Sequence, residues 1–344
     1  MKLVVLSPEG IVTGGVEALH QLVDAARRLG HDAAIWYYGG TRSVVMAEYA
    51  HYDVAVVTAI PDRPDTLIVY PETAGELPGL GHARWVQWWL SVDNFFTSIG
   101  SPVTAPQDDP GLLRVLADPR STIQHVAQSQ YARGFLWERG IRSRMLTDYV
   151  SDRFVAQAAA RGATPKRDVV LYNPRKGRAF TQQLREAAQG RLTFEPIEGL
   201  DEAGVADLLA SAKLYVDFGE HPGRDRIPRE AAISGCCVIT GSRGAAGNDI
   251  DMPIPRRFRL DEASPTVVDD FLALADHTLA HYDAVSGEFA DYRAGIVAQR
   301  DVFLTEVAAL LADARRPRLQ GHAAGRAAAA KGAGRGKAKA KTRR

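Results

Sequence analysis

The chain of 344 residues is long enough for two domains of ordinary size, and a hydrophobic content of 46% allows each of them a full core. The net charge of +1 is unevenly distributed. Residues 315–344 hold eleven Lys and Arg and no acidic residue, so the remainder has 31 basic against 41 acidic residues, a charge of −10. Two adjacent cysteines exclude a disulfide framework, and no apolar stretch has the length of a transmembrane helix. We therefore expect a cytoplasmic protein without a signal peptide.

The first half of the chain alternates apolar runs of strand length with helical patterns, which predicts a Rossmann-like α/β domain. His20 lies near the apolar face of the first helix, where we expect a satisfied, half-buried histidine rather than a base. Trp85, Trp88 and Trp89 are predicted to be core residues rather than a sugar-stacking surface. Residues 93–119 are rich in loops and could form an acceptor-side flap. Predicted strands cover residues 2–6, 33–37, 53–58, 66–70, 123–128 and 142–146, and predicted helices cover residues 16–29 and 130–139.

A second α/β domain is predicted to follow a linker of small, polar and basic residues at positions 156–167. Residues 315–344 are mostly Ala, Gly, Lys and Arg, which cannot bury a core, so we expect this tail to be disordered. The predicted units are residues 1–155, residues 168–285, a terminal helix at residues 286–314, and the tail. Predicted strands in the second half cover residues 168–173, 192–196, 214–218 and 236–240, and predicted helices cover residues 180–189, 201–211, 264–281 and 284–311.

The loop at residues 219–228 joins a buried strand to a helix. Between its glycines and prolines lie five polar residues: Glu220, His221, Arg224, Asp225 and Arg226. Ligands bind at the carboxyl ends of strands in an open α/β sheet, and a helix N-terminus favours anions, so this loop is a candidate binding site. Pro228 suits a first helical position, and we expect the helix to begin near residue 230 and to end at Gly235.

Three other strand ends carry residues suited to a ligand site. Gly14 and Gly15 follow the first strand, and glycine permits a close backbone approach to a ligand. Glu72 follows the strand at residues 66–70, where it could accept a proton, hydrogen-bond a hydroxyl, or only cap the next turn. Arg175 and Lys176 follow the strand at residues 168–173, where their charges can hold a pyrophosphate. We see no His, Asp or Cys cluster with metal-ligand spacing, so we predict no metal site.

These residues resemble the donor-binding half of GT-B glycosyltransferases, especially the large glycosyltransferase family 4. That family carries Glu-x7-Glu across a strand, a loop and a helix, followed by small residues, Gly and an apolar strand. The second half of the motif is matched by Glu230, Ala231, Ala232, Gly235 and the strand at residues 238–240. Pro222 stands where the family has its first Glu, and His221, Glu220 or Asp225 could take over the work of that residue.

The beginning of the chain also resembles this family, in which a Gly-Gly pair precedes Val/Ala-Glu and a helix that ends in Arg-Gly-His. The matching residues are Gly14, Gly15, Val16, Glu17, Gly30 and His31. The resemblance places Gly14 and Gly15 beside the donor phosphate or the acceptor. It places Arg175 and Lys176 at the donor diphosphate, although the family usually spaces these two cations further apart. It also implies that Glu230 hydrogen-bonds the donor ribose, and Arg226 is suited to the phosphate beside the sugar.

The resemblance implies an α/β protein of the GT-B type, with two Rossmann-like domains that face a central cleft and a C-terminal helix that crosses back over both. The implied reaction is transfer of a sugar from a nucleotide diphosphate sugar to an acceptor hydroxyl, with no cofactor and no tightly held metal. The acceptor is left open between a lipid-linked molecule and a polysaccharide, and the expected role is cell-surface polysaccharide or glycoconjugate synthesis. We assign His221, Asp225 and Glu72 to catalysis.

Two other functions stay open at this point. One is a nucleotide-sugar epimerase of the same fold, and the other is a degenerate GT-B binding subunit, which the missing first Glu favours. The charge of the tail could attract anionic lipid at the inner face of a membrane, or it could only keep the protein in solution. We do not expect a specific nucleic-acid partner.

Overall fold

The structure is a computed structural model that describes residues 1–38, 43–74, 80–98 and 123–315. Within these residues, seven parallel strands form one sheet and four parallel strands form a second. Parallel sheets are covered on both faces, and an interior strand of the first sheet accordingly contains an unbroken apolar run, residues 3–6, that is almost completely buried. The two-domain α/β architecture predicted from the sequence is confirmed.

The first sheet has the strand order β3-β2-β1-β4-β5-β6-β7. Because the strand order reverses at β1, the loops that follow β1 and β4 diverge and leave a crevice at the carboxyl edge of the sheet. Thr13 caps the first helix by accepting a hydrogen bond from the Val16 amide at 3.3 Å. The elements are β1 (Lys2–Pro8), α1 (Gly14–Arg28), β2 (Asp32–Tyr38), β3 (Ala55–Val56), β4 (Thr66–Pro71), β5 (Arg84–Trp89), α2 (Val92–Ser98), β6 (Gln124–Ala127), α3 (Gln130–Glu138) and β7 (Ser143–Met145).

The second sheet has the order β11-β10-β8-β9, and the charged loop predicted from the sequence lies between β10 and the helix that follows it. The elements are α4 (Asp152–Ala160), β8 (Arg167–Tyr172), α5 (Arg178–Ala188), β9 (Thr193–Pro196), α6 (Glu202–Ser211), β10 (Ala212–Asp217), α7 (Arg226–Ile233), β11 (Cys237–Thr240), α8 (Val267–Ala280), α9 (Tyr282–Gly287) and α10 (Ala290–Arg315). Short 3₁₀ turns lie at Ala47–Tyr49, Gly244–Gly247 and Arg256–Phe258.

The last helix, α10, contributes to both hydrophobic cores. Tyr292 and Ile296, in its first half, pack into the core of the second domain, whereas Phe303 and Val307 pack into the core of the first. The expected crossing of the terminal helix over both domains is therefore confirmed. None of the helices in the described ranges is long and apolar enough to cross a membrane.

A buried ion pair also joins the two halves. Arg229 on α7 donates from Nη2 to Asp148 Oδ2 at 2.7 Å, and both side chains are at most 2% exposed. The same guanidinium donates from Nη1 to Gln299 on α10 at 3.0 Å. The helix that carries Glu230 is thus fixed to the end of the first domain and to the terminal helix together.

Two helices lie where the sequence predicted loop or linker. Helix α2 buries Val92, Phe95 and Phe96 at helical spacing, a signal that the prolines further along hid in the sequence. Helix α4 covers the start of the predicted linker and buries Phe154 and Ala158 in the core of the second domain. The later part of the predicted flap, residues 99–119, and the tail beyond Arg315 lie outside the described residues, so both remain predictions.

Candidate functional site

A cleft of about 1080 Å³ lies where the carboxyl edges of the two sheets face each other. Loops that follow β1, β4 and β5 form one wall, and loops that follow β8, β9 and β10 form the other. The two walls are joined by hydrogen bonds: the Val92 amide donates to Pro222 O at 3.0 Å, and the Arg224 amide donates to the side-chain oxygen Oε1 of Gln128 at 2.9 Å. Gly223 allows this approach, because a Cβ there would lie 2.1 Å from Leu90 O.

Two glycines bring the cationic turn after β8 against the charged loop after β10. Gly177 and Gly219 both have positive φ, at 51° and 94°, and a Cβ on Gly177 would lie 2.4 Å from Phe218 O. The close approach of these two backbones carries the Lys176 side chain into the loop that holds His221 and Asp225.

Lys176 lies among three groups of this loop and its strand. Its Nζ is 2.8 Å from Asp225 Oδ2 and 3.2 Å from Asp217 Oδ1. His221 places Nδ1 2.8 Å from the same Asp225 oxygen and donates from Nε2 to Asp217 O at 3.2 Å. Burial alone would lower the pKa of Lys176 and of His221, but the two carboxylates outweigh it and raise both. Burial would likewise raise the pKa of Asp225, but His221 and Lys176 outweigh it and lower that pKa.

Ligand atoms of Asp217, His221 and Asp225 lie within 4.8 Å of one another, which is close enough to hold a metal ion. The sequence analysis saw no such cluster, because the three residues are spread over a strand end and an irregular loop. The ammonium group of Lys176, however, already contacts both carboxylates. We therefore interpret these residues as an ion-pair network rather than a metal centre.

The structure corrects the expectation that His221 faces the substrate. Its side chain is fully buried, it does not line the cleft, and both ring nitrogens are occupied by protein partners. Asp225, by contrast, lines the cleft with a side chain that is 26% exposed. Both residues that His221 contacts in this way line the cleft, and Asp225 is the one of them whose side chain is partly exposed.

Asp225 is the N-cap residue of α7, but its side chain accepts no hydrogen bond from the amides of that helix. The carboxylate is turned toward Lys176 and His221 instead, which leaves the N-terminal amides of α7 without a side-chain cap. The helix begins at Arg226, four residues before the start predicted from the sequence, and Gly235 follows its end with a φ of 95°. Glu230 consequently lies in the second turn of the helix rather than at its N-terminus.

Arg226 spans the cleft. It forms ion pairs with Glu17 on α1 and with Glu230 on its own helix, the latter with Nε 3.1 Å from Oε1. Gly14 makes room for it, because a Cβ on that residue would lie 3.0 Å from Arg226 Cδ. Gly15 also lines the cleft and lies beneath Leu90. The sequence analysis quoted Glu17 as part of a motif but assigned it no role.

Arg175 is the one predicted donor residue that the structure does not bring to the cleft. Its side chain is exposed and does not line the cavity, while its backbone amide donates to Asn173 Oδ1 at 3.0 Å. That local turn directs the side chain of residue 175 away from the cleft and that of Lys176 into it. Because the two cations are adjacent in the sequence, the sequence alone could not show that only Lys176 faces the cleft.

Glu72 lies on the wall of the cleft, next to Pro71 at the end of β4. Its Oε2 accepts a hydrogen bond from the Leu90 amide at 2.8 Å, so the carboxyl group binds the loop that follows β5, rather than the turn after Glu72, and also lines the cavity. Burial raises the pKa of Glu72 to about 8, against a smaller opposing effect of the backbone amides around it.

This raised pKa predicts a specific dependence of stability on pH. The folded state holds the Glu72 proton more tightly than the unfolded chain, so the stabilisation is complete below pH 4.5 and is lost as the pH rises to about 8. Glu72→Gln should remove a decline on the order of 3–5 kcal/mol over that range, measured by urea unfolding at several pH values. Glu48→Gln, at an exposed carboxylate of the same cleft, should leave the decline unchanged.

Aromatic and histidine residues outside the cleft follow the sequence expectations. Trp88 and Trp89 are fully buried, and Trp88 donates from Nε1 to Leu146 O at 2.8 Å, so they are core residues. Trp85 is partly buried and packs against Tyr70. His20 is fully rather than half buried, with Nε2 2.7 Å from Tyr37 Oη, and burial lowers its pKa to about 4. Its environment is that of a satisfied core histidine.

The fold and the cleft define a GT-B glycosyltransferase fold, and solved structures bear this out. Sucrose-phosphate synthase from Thermosynechococcus elongatus aligns over 91% of this chain and 99% of its own, with 13% identity and a TM-score of 0.62. HepE from Anabaena, solved with UDP-glucose, aligns over 91% and 100%, with 14% identity and a TM-score of 0.57. WaaG, a glycosyltransferase involved in lipopolysaccharide biosynthesis, aligns over 92% and 100%, with 10% identity and a TM-score of 0.55.

Sequence comparisons add no closer relative. No family model matches the chain, and no curated protein matches it. The GT-B fold is therefore shown by structure, and the identities of the residues in the cleft carry the functional argument.

Proposed function

We propose that the protein is a glycosyltransferase that moves a sugar from a nucleoside diphosphate sugar to an acceptor hydroxyl. The observation that carries the proposal is the cleft between the two sheets, with Lys176, Asp225 and Glu230 on one wall and Gly14 and Glu72 on the other. These are groups that suit a diphosphate, a polyhydroxylated sugar and an acceptor hydroxyl, in a fold shared with nucleotide-sugar enzymes.

The donor diphosphate is best accommodated at the start of α7. The amides of that helix lack a side-chain cap, and helix N-termini attract anions. Lys176 adds a positive charge beside them, and this charge stabilises the diphosphate as it leaves. Glu230, buried one turn further along the helix, can accept hydrogen bonds from the ribose hydroxyls.

Asp225 replaces the first Glu of the Glu-x7-Glu motif, at whose position this chain has Pro222. Its Oδ2 is held by Lys176 and His221, which fixes the carboxylate and leaves Oδ1 for a hydroxyl of the transferred sugar. Pro222 cannot do this work, because it has no carboxylate and its carbonyl is used in the contact with Val92. His221 is a positioning residue that orients Asp225.

Glu72 is placed to meet the acceptor. Near neutral pH its raised pKa keeps most of the population protonated, so it can donate a hydrogen bond to an acceptor oxygen, and at higher pH the carboxylate can accept the proton of an acceptor hydroxyl. We extend the proposal to a hexose donor and to polysaccharide or glycoconjugate synthesis in the cytoplasm. The similarity to HepE, solved with UDP-glucose, and to WaaG, which is involved in lipopolysaccharide biosynthesis, supports that extension and makes UDP-glucose the first donor to test.

The experiment is a donor assay without acceptor. A panel of UDP-, GDP- and ADP-sugars is incubated with the protein, and release of the nucleoside diphosphate is followed. A glycosyltransferase should release the nucleoside diphosphate from one donor slowly by hydrolysis, and a later addition of acceptor should accelerate that release by transfer of the sugar to its hydroxyl. An epimerase would convert the sugar without net release of the nucleoside diphosphate. A binding subunit, which Pro222 favours as a second candidate, would bind the donor and leave it intact.

The basic tail is proposed to add a contact with anionic lipid and to be dispensable for catalysis. Deleting residues 316–344 should leave the melting temperature and the turnover of a soluble acceptor nearly unchanged, because this segment has only one large apolar residue, Leu319. Sedimentation with vesicles that contain anionic lipid should decrease in the truncated protein. A melting temperature lowered by several degrees would show that the tail belongs to the fold.

A further inference from the structure

Two ion pairs between the domains differ in a way that suggests different roles. The Arg229–Asp148 pair is at most 2% exposed and does not line the cleft. Arg226, by contrast, is 30% exposed, and it lines the cleft together with both of its carboxylate partners, Glu17 and Glu230. The first pair is buried away from the cleft, whereas the guanidinium of the second is accessible to a ligand that enters the cleft.

The second arrangement occupies the groups that a donor needs. Arg226 is a guanidinium suited to phosphate, and Glu230 is a carboxylate suited to ribose hydroxyls, but in this structure they are paired with each other. Glu17 holds Arg226 from the opposite domain. A nucleoside diphosphate that enters the cleft must therefore compete with Glu17 for the guanidinium.

Glu17 also has a second hydrogen-bond partner that does not depend on Arg226. Its other oxygen, Oε1, accepts a hydrogen bond from Tyr52 Oη at 2.8 Å, and Tyr52 is further held by Gln21 at 3.1 Å. The carboxylate therefore keeps a buried hydrogen-bond partner when Arg226 leaves, which lowers the cost of breaking the ion pair. Gly14 lies against the Arg226 side chain and has no side chain that would obstruct the movement of Arg226 away from Glu17.

We propose that Glu17 is a gating residue of the donor site, which rests on the proposed function. In the empty cleft Glu17 retains Arg226, and a donor diphosphate draws the guanidinium from Glu17 to its own oxygens. The exchange sets the affinity for the diphosphate part of the donor and leaves the affinity for the nucleoside part unchanged. Glu17 thus tunes donor binding from the first domain, across the cleft from the helix that carries Arg226 and Glu230.

The test is calorimetric titration with UDP, ADP and GDP and with the matching nucleosides. Glu17→Gln removes the charge that retains Arg226, and Glu17→Asp keeps the charge but shortens the side chain. Both should tighten binding of the preferred nucleoside diphosphate about tenfold and leave the nucleoside unaffected. Glu48→Gln is the matched control, because it removes one negative charge from the same cleft without a contact to Arg226, and it should change the affinity less than twofold.

Two results would overturn the gating role. One is unchanged or weaker diphosphate binding by both Glu17 variants at a parental melting temperature, and the other is loss of the folded state in both. Failure of the proposed function looks different, because then neither the parent nor any variant binds a nucleoside diphosphate. Diphosphate binding by the Glu17 variants but not by the parent would support gating in its strongest form.

Discussion

Replacing Asp148 with Ala should lower the free energy of unfolding by about 3–5 kcal/mol, because it leaves the Arg229 guanidinium buried without its carboxylate. Gln299 remains as a neutral partner of Arg229 and cannot balance its charge. The pair joins α7, the end of the first domain and α10, so its loss should weaken the attachment of the two domains as well as each local fold. Urea unfolding at pH 7 measures the effect.

The matched control is an exposed pair. Arg257 and Glu288 are 47% and 36% exposed, and Glu288→Ala should cost less than about 1 kcal/mol. The double variant Asp148→Leu with Arg229→Met tests the cause, since replacing both charges by apolar groups should recover most of the lost stability. If the double variant is as unstable as Asp148→Ala, the loss of stability comes from the changed shape of the side chains rather than from the unpaired charge.

Replacing Asp225 with Asn should reduce turnover of the donor about 100-fold while changing the affinity for the nucleoside diphosphate only a few-fold. Asn keeps the shape of the side chain but removes the charge that Lys176 and His221 hold in place, so the group that meets the sugar is lost. Lys176 keeps Asp217 as a partner, which preserves the positive charge beside the diphosphate. Steady-state kinetics with separate nucleotide titrations measure the two effects.

Glu202→Gln is the control for this prediction, because Glu202 lines the same wall of the cleft but contacts Arg153 instead of Lys176. It should leave turnover within about twofold of the parent. Equal losses of turnover in the two variants would assign the effect to the overall charge of the cleft rather than to Asp225.

Local patterns in the sequence predicted most of the strands and helices, but not strand β5 or helices α2 and α4. The apolar runs that form β1, β4 and β10 are continuous, as buried parallel strands require, and the glycine that follows α7 has the positive φ that its position predicts. Helix α4 was missed because its alanines and polar residues carry little periodic signal by themselves. Its only buried side chains are Phe154 and Ala158, and they pack into the core of the second domain, against residues that lie far away in the chain.

The site could be predicted only in part, because ion pairs across the cleft have no local signature. Sequence patterns placed Lys176 and Glu72 just after strands, Asp225 in the loop after a strand and Glu230 at the start of the next helix, and the structure brings all four to the cleft. The sequence could not show that Arg226 is already paired with Glu17, which is more than 200 residues away in the chain. Nor could it show that His221 is turned inward, since that orientation depends on the irregular loop conformation that brings its two ring nitrogens to Asp217 O, at the end of β10, and to Asp225.

The most direct test of the central claim is calorimetric titration of a panel of nucleoside diphosphate sugars into the parent protein and into Glu230→Gln. We expect at least one donor to bind the parent, and Glu230→Gln to bind it at least tenfold more weakly with an unchanged melting temperature, because the variant loses the carboxylate that we propose accepts hydrogen bonds from the ribose hydroxyls. Absence of binding by every donor, or equal affinity in the two proteins, would contradict the assignment of this cleft as a nucleotide-sugar site.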